Sequence, residues 1–140
     1  MNEAHCLCGA VRIEITLPTE WIAHCHCRRC QLAHGAAFVT WVGVKQAAAT
    51  IHDPDAQLRW YHAAPVAGLK RAGERAFCGR CGTPMLFRSE RWPGELHIAR
   101  ALFDGPLDRA PQMHAFSDTR VDWIHCLDDL PTRSAQELGG

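Results

Sequence analysis

Seven of the eight cysteines in this chain of 140 residues fall into three tight clusters, and no other feature limits its fold as strongly. The clusters are Cys6-Leu7-Cys8, Cys25-His26-Cys27-Arg28-Arg29-Cys30 and Cys78-Gly79-Arg80-Cys81-Gly82. A structural zinc ion takes four protein ligands in a tetrahedron, whereas a catalytic zinc ion keeps three protein ligands and one exchangeable position. Seven cysteines divide into four plus three, which predicts one closed zinc site and one open zinc site.

The closed site is predicted from the first and last clusters. Side chains at positions i and i+2 of a strand point to the same face, so Cys6 and Cys8 can face one metal ion. Cys78 and Cys81 form a zinc knuckle, in which Gly82 permits the positive φ of a tight turn. A site built from both pairs would join distant parts of the chain and contribute folding energy. The alternative is two unrelated pairs of buried or reactive thiols.

The open site is predicted from Cys25, Cys27 and Cys30, whose sulfurs lie within six residues of one another in the sequence. Cys25 and Cys27 would again share one face of a strand. A small thiol in the fourth position would lose its proton on binding and become a nucleophile. The alternative is a closed structural site whose fourth ligand is a neighbouring histidine: His24, His26 or His34.

Five further residues are candidates for supporting roles. Arg28 and Arg29 could offset the negative charge of the middle cluster or bind a carboxylate, the alternative being a solvated helix face. His26 should point away from its two neighbours, which favours packing or support of a ligand over coordination. His34 could move a proton, although histidines at helix ends are usually solvated. Cys126 has apolar neighbours, which predicts a buried, inert thiol.

The pattern of the whole chain predicts a mainly β fold, an all-β sandwich or a barrel-like architecture. Strands are predicted over residues 10–17, 36–44, 58–62, 74–78, 85–88 and 95–102, and a short helix over 28–34, closed by Gly35. Four tryptophans are predicted to line the core or the rim of a pocket: Trp41, Trp60, Trp92 and Trp123. We expect one domain over residues 1–131 and a polar C-terminal tail over 132–140.

Composition excludes two classes of function. Lys plus Arg and Asp plus Glu both number 15, so the chain lacks the basic footprint of a nucleic-acid-binding protein. No apolar stretch approaches the length of a membrane span, and the first residues resemble no signal peptide. We therefore expect a cytoplasmic protein, in which clustered cysteines are metal ligands or catalytic thiols rather than disulfides. The sequence is compatible with a homodimer and has no patch that requires one.

The motifs resemble those of the glutathione-dependent formaldehyde-activating enzyme family, which includes the centromere-protein-V-like domains. The resemblance covers nearly the whole chain and rests on these segments: 6–11 (CLCGAV), 25–31 (CHCRRCQ), 35–38 (GAAF), 77–84 (FCGRCGTP), 96–98 (LHI), His114, 123–124 (WI) and 130–131 (LP). It implies packed antiparallel sheets held by zinc, in a zinc-binding β-sandwich. It implies a structural zinc on four cysteines, namely Cys6, Cys8, Cys78 and Cys81, and a catalytic zinc on three others: Cys25, Cys27 and Cys30.

The resemblance also implies an activity. The family is named for the condensation of glutathione with formaldehyde to S-hydroxymethylglutathione, a carbon–sulfur lyase reaction. The expected partners are thus a low-molecular-weight thiol such as glutathione and a small carbonyl compound. Two alternatives remain open at this point, a non-catalytic zinc-binding interaction module and a thiol or zinc sensor. A histidine that closed the second zinc site would favour the interaction module.

Overall fold

The computed structural model describes residues 2–62 and 73–139, and this part of the chain contains ten strands and one α-helix. The helix, α1, spans Arg28–His34, and three short 3-10 turns follow at Gln46–Ala48, Arg100–Leu102 and Ser117–Thr119. The strands are β1 (Asn2–His5), β2 (Arg12–Ile15), β3 (Trp21–Cys25), β4 (Val39–Lys45), β5 (Ala49–His52), β6 (Leu58–His62), β7 (Gly73–Cys78), β8 (Pro84–Ser89), β9 (Glu95–Ala99) and β10 (His114–Ala115).

The strands form two sheets. The smaller sheet has the order β1-β2-β5, and the larger has the order β10-β3-β4-β9-β8-β7-β6. Every strand pair is antiparallel except β10 with β3, which is parallel. The prediction of a mainly β fold is confirmed. The expectation of purely antiparallel sheets is wrong at this one edge, where the chain returns from β9 to lie beside β3.

The two faces of the large sheet have different neighbours. Ile13 and Ile15 of the small sheet pack with Val42 and Ile98 of the large sheet in one buried apolar cluster. Successive side chains of a strand point to opposite faces, so Trp41 belongs to a second apolar cluster on the other face. The small sheet therefore covers one face of the large sheet and leaves the other face available for a functional site.

Helix α1 spans the predicted residues because both of its ends are capped. The Sγ atom of Cys27 accepts a hydrogen bond from the backbone N–H of Cys30 at 3.3 Å, which is an N-cap contact. Gly35 ends the helix in the left-handed conformation, with φ 57°, and donates its backbone N–H to the carbonyl of Gln31. The Gln31 side chain in turn donates to the carbonyl oxygen of His26 at 3.0 Å, which holds the helix against the end of β3.

The predicted strands recur in the structure, the 58–62 strand with the predicted ends and the others with shifted ends, and four short strands escaped prediction. Strand β2 is shorter than the predicted 10–17, and the predicted 95–102 strand ends at Ala99, where a 3-10 turn begins. The missed strands are β1, β3, β5 and β10, each of two to five residues. Segments this short carry too few alternating residues for a pattern to be recognised.

The C-terminal segment adds to the open edge of the large sheet. The backbone N–H of Arg133 donates to the carbonyl of His114 at 2.8 Å, and that of Ser117 donates to the carbonyl of Arg133 at 2.8 Å. The predicted domain and tail include Met1 and Gly140, which lie outside the described residues. No helix in the described part of the chain is long and apolar enough to cross a membrane.

Candidate metal centres and the adjoining pocket

The first and last cysteine clusters meet where the tips of two hairpins from different sheets come together. The Sγ atom of Cys8 lies 3.7 Å from that of Cys6 and 3.9 Å from that of Cys78. With Cys81 these residues form a group whose sulfurs all lie within 4.8 Å of one another. The structure corrects one reason for the prediction. Strand β1 ends at His5, so Cys6 and Cys8 converge through a turn and not through a shared strand face.

Thr83 fastens the two hairpin tips to each other. Its Oγ1 accepts the backbone N–H of Leu7 at 3.0 Å and lies 3.1 Å from the Sγ of Cys81. The hydrogen bond from the Thr83 hydroxyl lowers the pKa of the Cys81 thiol to about 5. The backbone N–H of Val11 also donates to the Cys6 Sγ at 3.4 Å. The turns therefore favour the thiolate form, which binds metal, at Cys81 and Cys6, whereas hydrogen bonding within the cluster raises the pKa of Cys8 to about 11.

The middle cluster forms where β3 passes into helix α1. Cys25 is the last residue of β3, Cys27 caps the helix, and Cys30 lies in its first turn. The expectation that Cys25 and Cys27 share a strand face is wrong, because β3 ends at Cys25. The Sγ atoms of Cys25 and Cys30 lie 3.6 Å apart, and all three sulfurs lie within 4.8 Å of one another.

The charge state of this cluster is uneven. Hydrogen bonds from the thiols of Cys25 and Cys27, together with the positive charge of Arg75, hold the pKa of Cys30 far below its ordinary value. The same contacts to Cys27 and Cys30 raise the pKa of the buried Cys25 thiol. Cys30 is thus the sulfur that loses its proton first.

The donor sets of both clusters fit zinc. Zinc binds thiolate sulfur at about 2.3 Å in a tetrahedron, which places neighbouring sulfurs about 3.8 Å apart. The separations of 3.6, 3.7 and 3.9 Å between cysteine sulfurs agree with that value. Cys6, Cys8, Cys78 and Cys81 could hold such an ion with four ligands, and the middle cluster could hold one with three.

A cavity of about 500 Å³ adjoins the middle cluster, on the face of the large sheet that the small sheet leaves free. Cys25, Cys27 and Cys30 are part of its wall. Its floor is a row of residues that are paired across five strands, β3, β4, β9, β8 and β7: Trp21, Gly43, His97, Phe87 and Arg75. The row shares one face because paired residues in a sheet point to the same side.

Gly43 shapes this floor by having no side chain. A Cβ atom at position 43 would lie inside the indole ring of Trp21. The indole crosses this gap and packs edge-on against His97, with ring centroids 4.6 Å apart. Aromatic rings therefore dominate the wall of the cavity, and Trp41 and Trp92 belong to it as predicted.

Arginines give the cavity a positive rim. Arg28 and Arg29 line it, although both are exposed, and Arg28 also donates to the Gln31 side chain at 3.4 Å. Two more arginines, Arg75 and Arg91, were not predicted. Arg75 donates to the Cys30 Sγ at 3.6 Å and lies over the Phe87 ring at 4.8 Å. The alternation of side chains along β7 places Arg75 on the same face of the sheet as the cavity. Only the register of the sheet shows that Arg75 lies beside Cys30.

His97 is the other cavity residue that sequence analysis missed as a site residue. It is 4 % exposed, and its Nε2 donates to the Glu95 carboxylate at 2.8 Å. This hydrogen bond lowers the pKa of Glu95 below its ordinary value. The signal in the sequence was the i and i+2 spacing of two polar residues in an apolar strand. A histidine held by a carboxylate in a cavity is suited to proton transfer.

The three histidines named as alternative ligands have other contacts. The Nδ1 of His24 lies 2.8 Å from the Thr40 hydroxyl, and the Nε2 of His26 lies 2.8 Å from His114 Nδ1. His34 packs edge-on against Trp41 at 5.2 Å between centroids. Within residues 2–62 and 73–139, none of them joins the group formed by the three sulfurs of the middle cluster.

Two predictions about the C-terminal part were wrong. Cys126 is exposed and not buried, because its loop lies on the surface. Trp123 is 71 % exposed and lines neither the core nor the cavity. Trp60, in contrast, packs against the main apolar cluster as expected. Apolar neighbours in the sequence therefore do not indicate burial in this segment.

Fold and site together define a class, a mainly β protein with two cysteine clusters that could bind metal, one of them open to an aromatic cavity. The sequence model of the glutathione-dependent formaldehyde-activating enzyme family matches residues 1–119. The chain belongs to this family.

Two known proteins are similar to this chain. A protein of Halomonas elongata that is provisionally named a glutathione-dependent formaldehyde-activating enzyme is 29% identical over 124 residues, 87% of this chain and 78% of its own length. The crystal structure of a Rhodobacter sphaeroides protein superposes with a TM-score of 0.60 at 20% identity. It covers 94% of this chain and 99% of its own chain, and so supports the fold.

Proposed function

We propose that the protein is a zinc-dependent enzyme of the carbon–sulfur lyase type. It would add a low-molecular-weight thiol, such as glutathione, to formaldehyde or a similar small carbonyl compound. A structural zinc ion would be held by four cysteines, namely Cys6, Cys8, Cys78 and Cys81, and a catalytic one by three others: Cys25, Cys27 and Cys30. Family membership supports the general reaction.

One observation carries the proposal: the three clustered sulfurs of Cys25, Cys27 and Cys30 face a cavity large enough for a small molecule. A zinc ion held there would supply a Lewis acid that lowers the pKa of a thiol in its fourth position. The other cluster offers four sulfurs, enough to complete a tetrahedron, and would hold a closed site. The two clusters thus match the structural and catalytic classes of zinc site.

The rim arginines suit the carboxylates of glutathione. Glutathione carries two carboxylates, and an arginine guanidinium binds a carboxylate through two parallel hydrogen bonds. Arg28 and Arg29 are exposed at the cavity, where such a group could reach them, whereas Arg75 is directed to Cys30. We assign Arg28 and Arg29 to binding of the thiol compound, and Arg75 to holding the negative charge of the sulfur cluster.

The reaction needs one proton to move. The thiol sulfur forms a bond to the carbonyl carbon, the C=O π electrons pass to oxygen, and that oxygen takes up a proton to become a hydroxyl group. The thiol has lost one proton, so the products balance. His97 lines the cavity and is held by Glu95. It can take up the proton that the thiol loses and deliver a proton to the carbonyl oxygen. The aromatic walls limit access of water to the adduct.

The test must separate catalysis from the spontaneous addition of thiols to formaldehyde. Exchange NMR at equilibrium measures the interconversion of glutathione and S-hydroxymethylglutathione directly. We expect zinc-loaded protein to raise this rate at least tenfold above the uncatalysed rate. A rate equal to that of buffer, with zinc content verified, would reject this reaction and favour a binding module.

Matched arginine variants test the binding assignment. We expect Arg28→Gln with Arg29→Gln to raise KM for glutathione about tenfold, since a charged hydrogen bond contributes roughly 1.5–3 kcal/mol. Arg12→Gln is the control, because Arg12 pairs with Glu3 on the small sheet and does not line the cavity. An unchanged KM in the double variant would show that the arginines only form a solvated helix face.

A further inference from the structure

A third group of metal-ligating side chains lies outside the two cysteine clusters. His26 and His114 are 2 % and 6 % exposed, and the Sγ of Cys126 lies within 4.8 Å of a ring nitrogen of each. His26 follows β3 and His114 begins β10, the strand that pairs with β3 in parallel. The fold thus brings together residues that are 88 and 100 positions apart in the sequence.

Hydrogen bonds prepare His114 to act as a ligand. Its Nε2 donates to the Asp128 carboxylate, with Oδ1 at 2.9 Å and Oδ2 at 3.2 Å. This contact keeps the proton on Nε2 and leaves the lone pair on Nδ1, which faces His26 Nε2 at 2.8 Å. A carboxylate behind a histidine, with the other ring nitrogen free, is the usual support of a metal-bound histidine.

The hydrogen bond between the two histidines places a proton on His26 Nε2, because the Nδ1 of His114 is the acceptor. The Nδ1 of His26 is buried and has no hydrogen-bond partner in the described part of the chain. A buried, unpartnered ring nitrogen costs free energy. A single proton therefore separates the facing nitrogens of the two rings, and a cation that displaced it would bind both of them and leave the ring proton of His26 on Nδ1.

We propose that His26, His114 and Cys126 bind a zinc-class divalent cation, with Asp128 as the positioning residue of His114. Two imidazole nitrogens and one thiolate are ligands that zinc prefers, and the exposed side of Cys126 leaves a position for water. Because Cys126 and Asp128 lie beyond the family match at residues 1–119, the inference does not rest on the proposed function.

Such a site would have a structural consequence. The 120–131 segment is largely exposed. Coordination of one cation by Cys126 and His26 would link this segment to His26, which lies between Cys25 and Cys27 in the sequence. The cation would bind His26 through Nε2, the ring nitrogen that faces His114. Anchoring of this segment would then stabilise the end of β3, from which the cavity cysteines project.

Protection from alkylation tests the site in the wild-type protein. Purified protein is treated with iodoacetamide with and without added zinc chloride, and modification of Cys126 is followed by peptide mass spectrometry. Because Cys126 is exposed, it should react readily in metal-free protein. We expect zinc to slow its alkylation at least tenfold. An equal rate with and without zinc would overturn the proposal.

Variants supply a second, independent readout. We expect zinc content after dialysis to fall by one equivalent per chain relative to the wild type in Cys126→Ser, and the alkylation protection of Cys126 to be lost in His114→Gln. In Asp128→Asn we expect affinity at this site to fall 10–100-fold, the usual effect of losing such a support. Asp129→Asn is the matched control and should retain the zinc content of the wild type. Cys126→Ser protein with an unchanged zinc content would contradict the assignment.

Discussion

The two cysteine clusters differ in what surrounds them, although both bring sulfurs to similar separations. The four-cysteine cluster connects a hairpin of the small sheet with a hairpin of the large sheet, and Thr83 bonds the two tips together. The three-cysteine cluster lies within one continuous segment and contacts a cavity. An ion in the first joins two sheets, whereas an ion in the second joins residues that the helix cap already holds.

This difference implies a division of labour between stability and chemistry. A crosslink between distant parts of the chain restricts the unfolded state far more than a local one does. Metal binding at the hairpin tips would therefore contribute directly to folding, and metal binding at the cavity would contribute less. Variants that remove one ligand from each cluster should separate the two effects.

Cys78→Ser should have the largest effect of all substitutions on stability. Cys78 is fully buried at the end of β7, so its loss would remove a ligand and leave a hydroxyl among apolar residues. We expect the free energy of unfolding to fall by more than about 3 kcal/mol. Urea unfolding followed by circular dichroism measures this change. A loss below about 1 kcal/mol would contradict a structural role for this cluster.

Cys27→Ser should instead abolish turnover and spare the fold. Serine is a good N-cap residue, so it can accept the Cys30 N–H that the Cys27 sulfur accepts now. We expect the exchange rate of the glutathione adduct to fall to the uncatalysed rate, a loss of at least about tenfold or about 1.4 kcal/mol, with a small change in melting temperature. Full turnover in this variant would exclude the three-cysteine cluster as the reactive centre.

Gly43→Ala should alter the cavity at a smaller cost. The added Cβ would displace the Trp21 indole, and overpacking of this kind costs about 1–3 kcal/mol. Because Trp21 packs against His97, we also expect kcat/KM to fall about tenfold. Gly105→Ala is the matched control, since a Cβ at Gly105 meets nothing within 4 Å. Equal activities for the two variants would show that Trp21 does not shape the site.

The sequence was sufficient for features that depend on local spacing. Cysteine spacing predicted which sulfurs would meet, and Gly35 marked the end of α1 at the observed residue. The cavity floor could not be predicted from the sequence. Arg75 and His97 belong to one row of paired residues only because of the register of the large sheet. The group of His26 and Cys126 escaped for the same reason, since a two-residue parallel strand brings it together.

Glu95→Gln should give the smallest effect and a distinctive pH dependence. The hydrogen bond from His97 lowers the pKa of Glu95 from its ordinary value of 4.5, so the native state favours the carboxylate. A carboxyl group with a depressed pKa adds stability above its unfolded pKa, and this stability is lost as pH falls through the folded value. We expect the wild type to exceed Glu95→Gln by about 1 kcal/mol at pH 7, with the advantage shrinking below about pH 4.5.

Urea unfolding of both proteins between pH 3.5 and 7 measures this difference. Acid also protonates the cysteines, but this affects both proteins equally and cancels in the comparison. Glu3→Gln is the matched control, because Glu3 pairs with Arg12 at the surface of the small sheet, remote from His97. A pH-independent difference between wild type and Glu95→Gln would mean that Glu95 acts only through packing. His97 would then lack the charged partner that suits it to proton transfer, although the cavity and its three sulfurs would be unaffected.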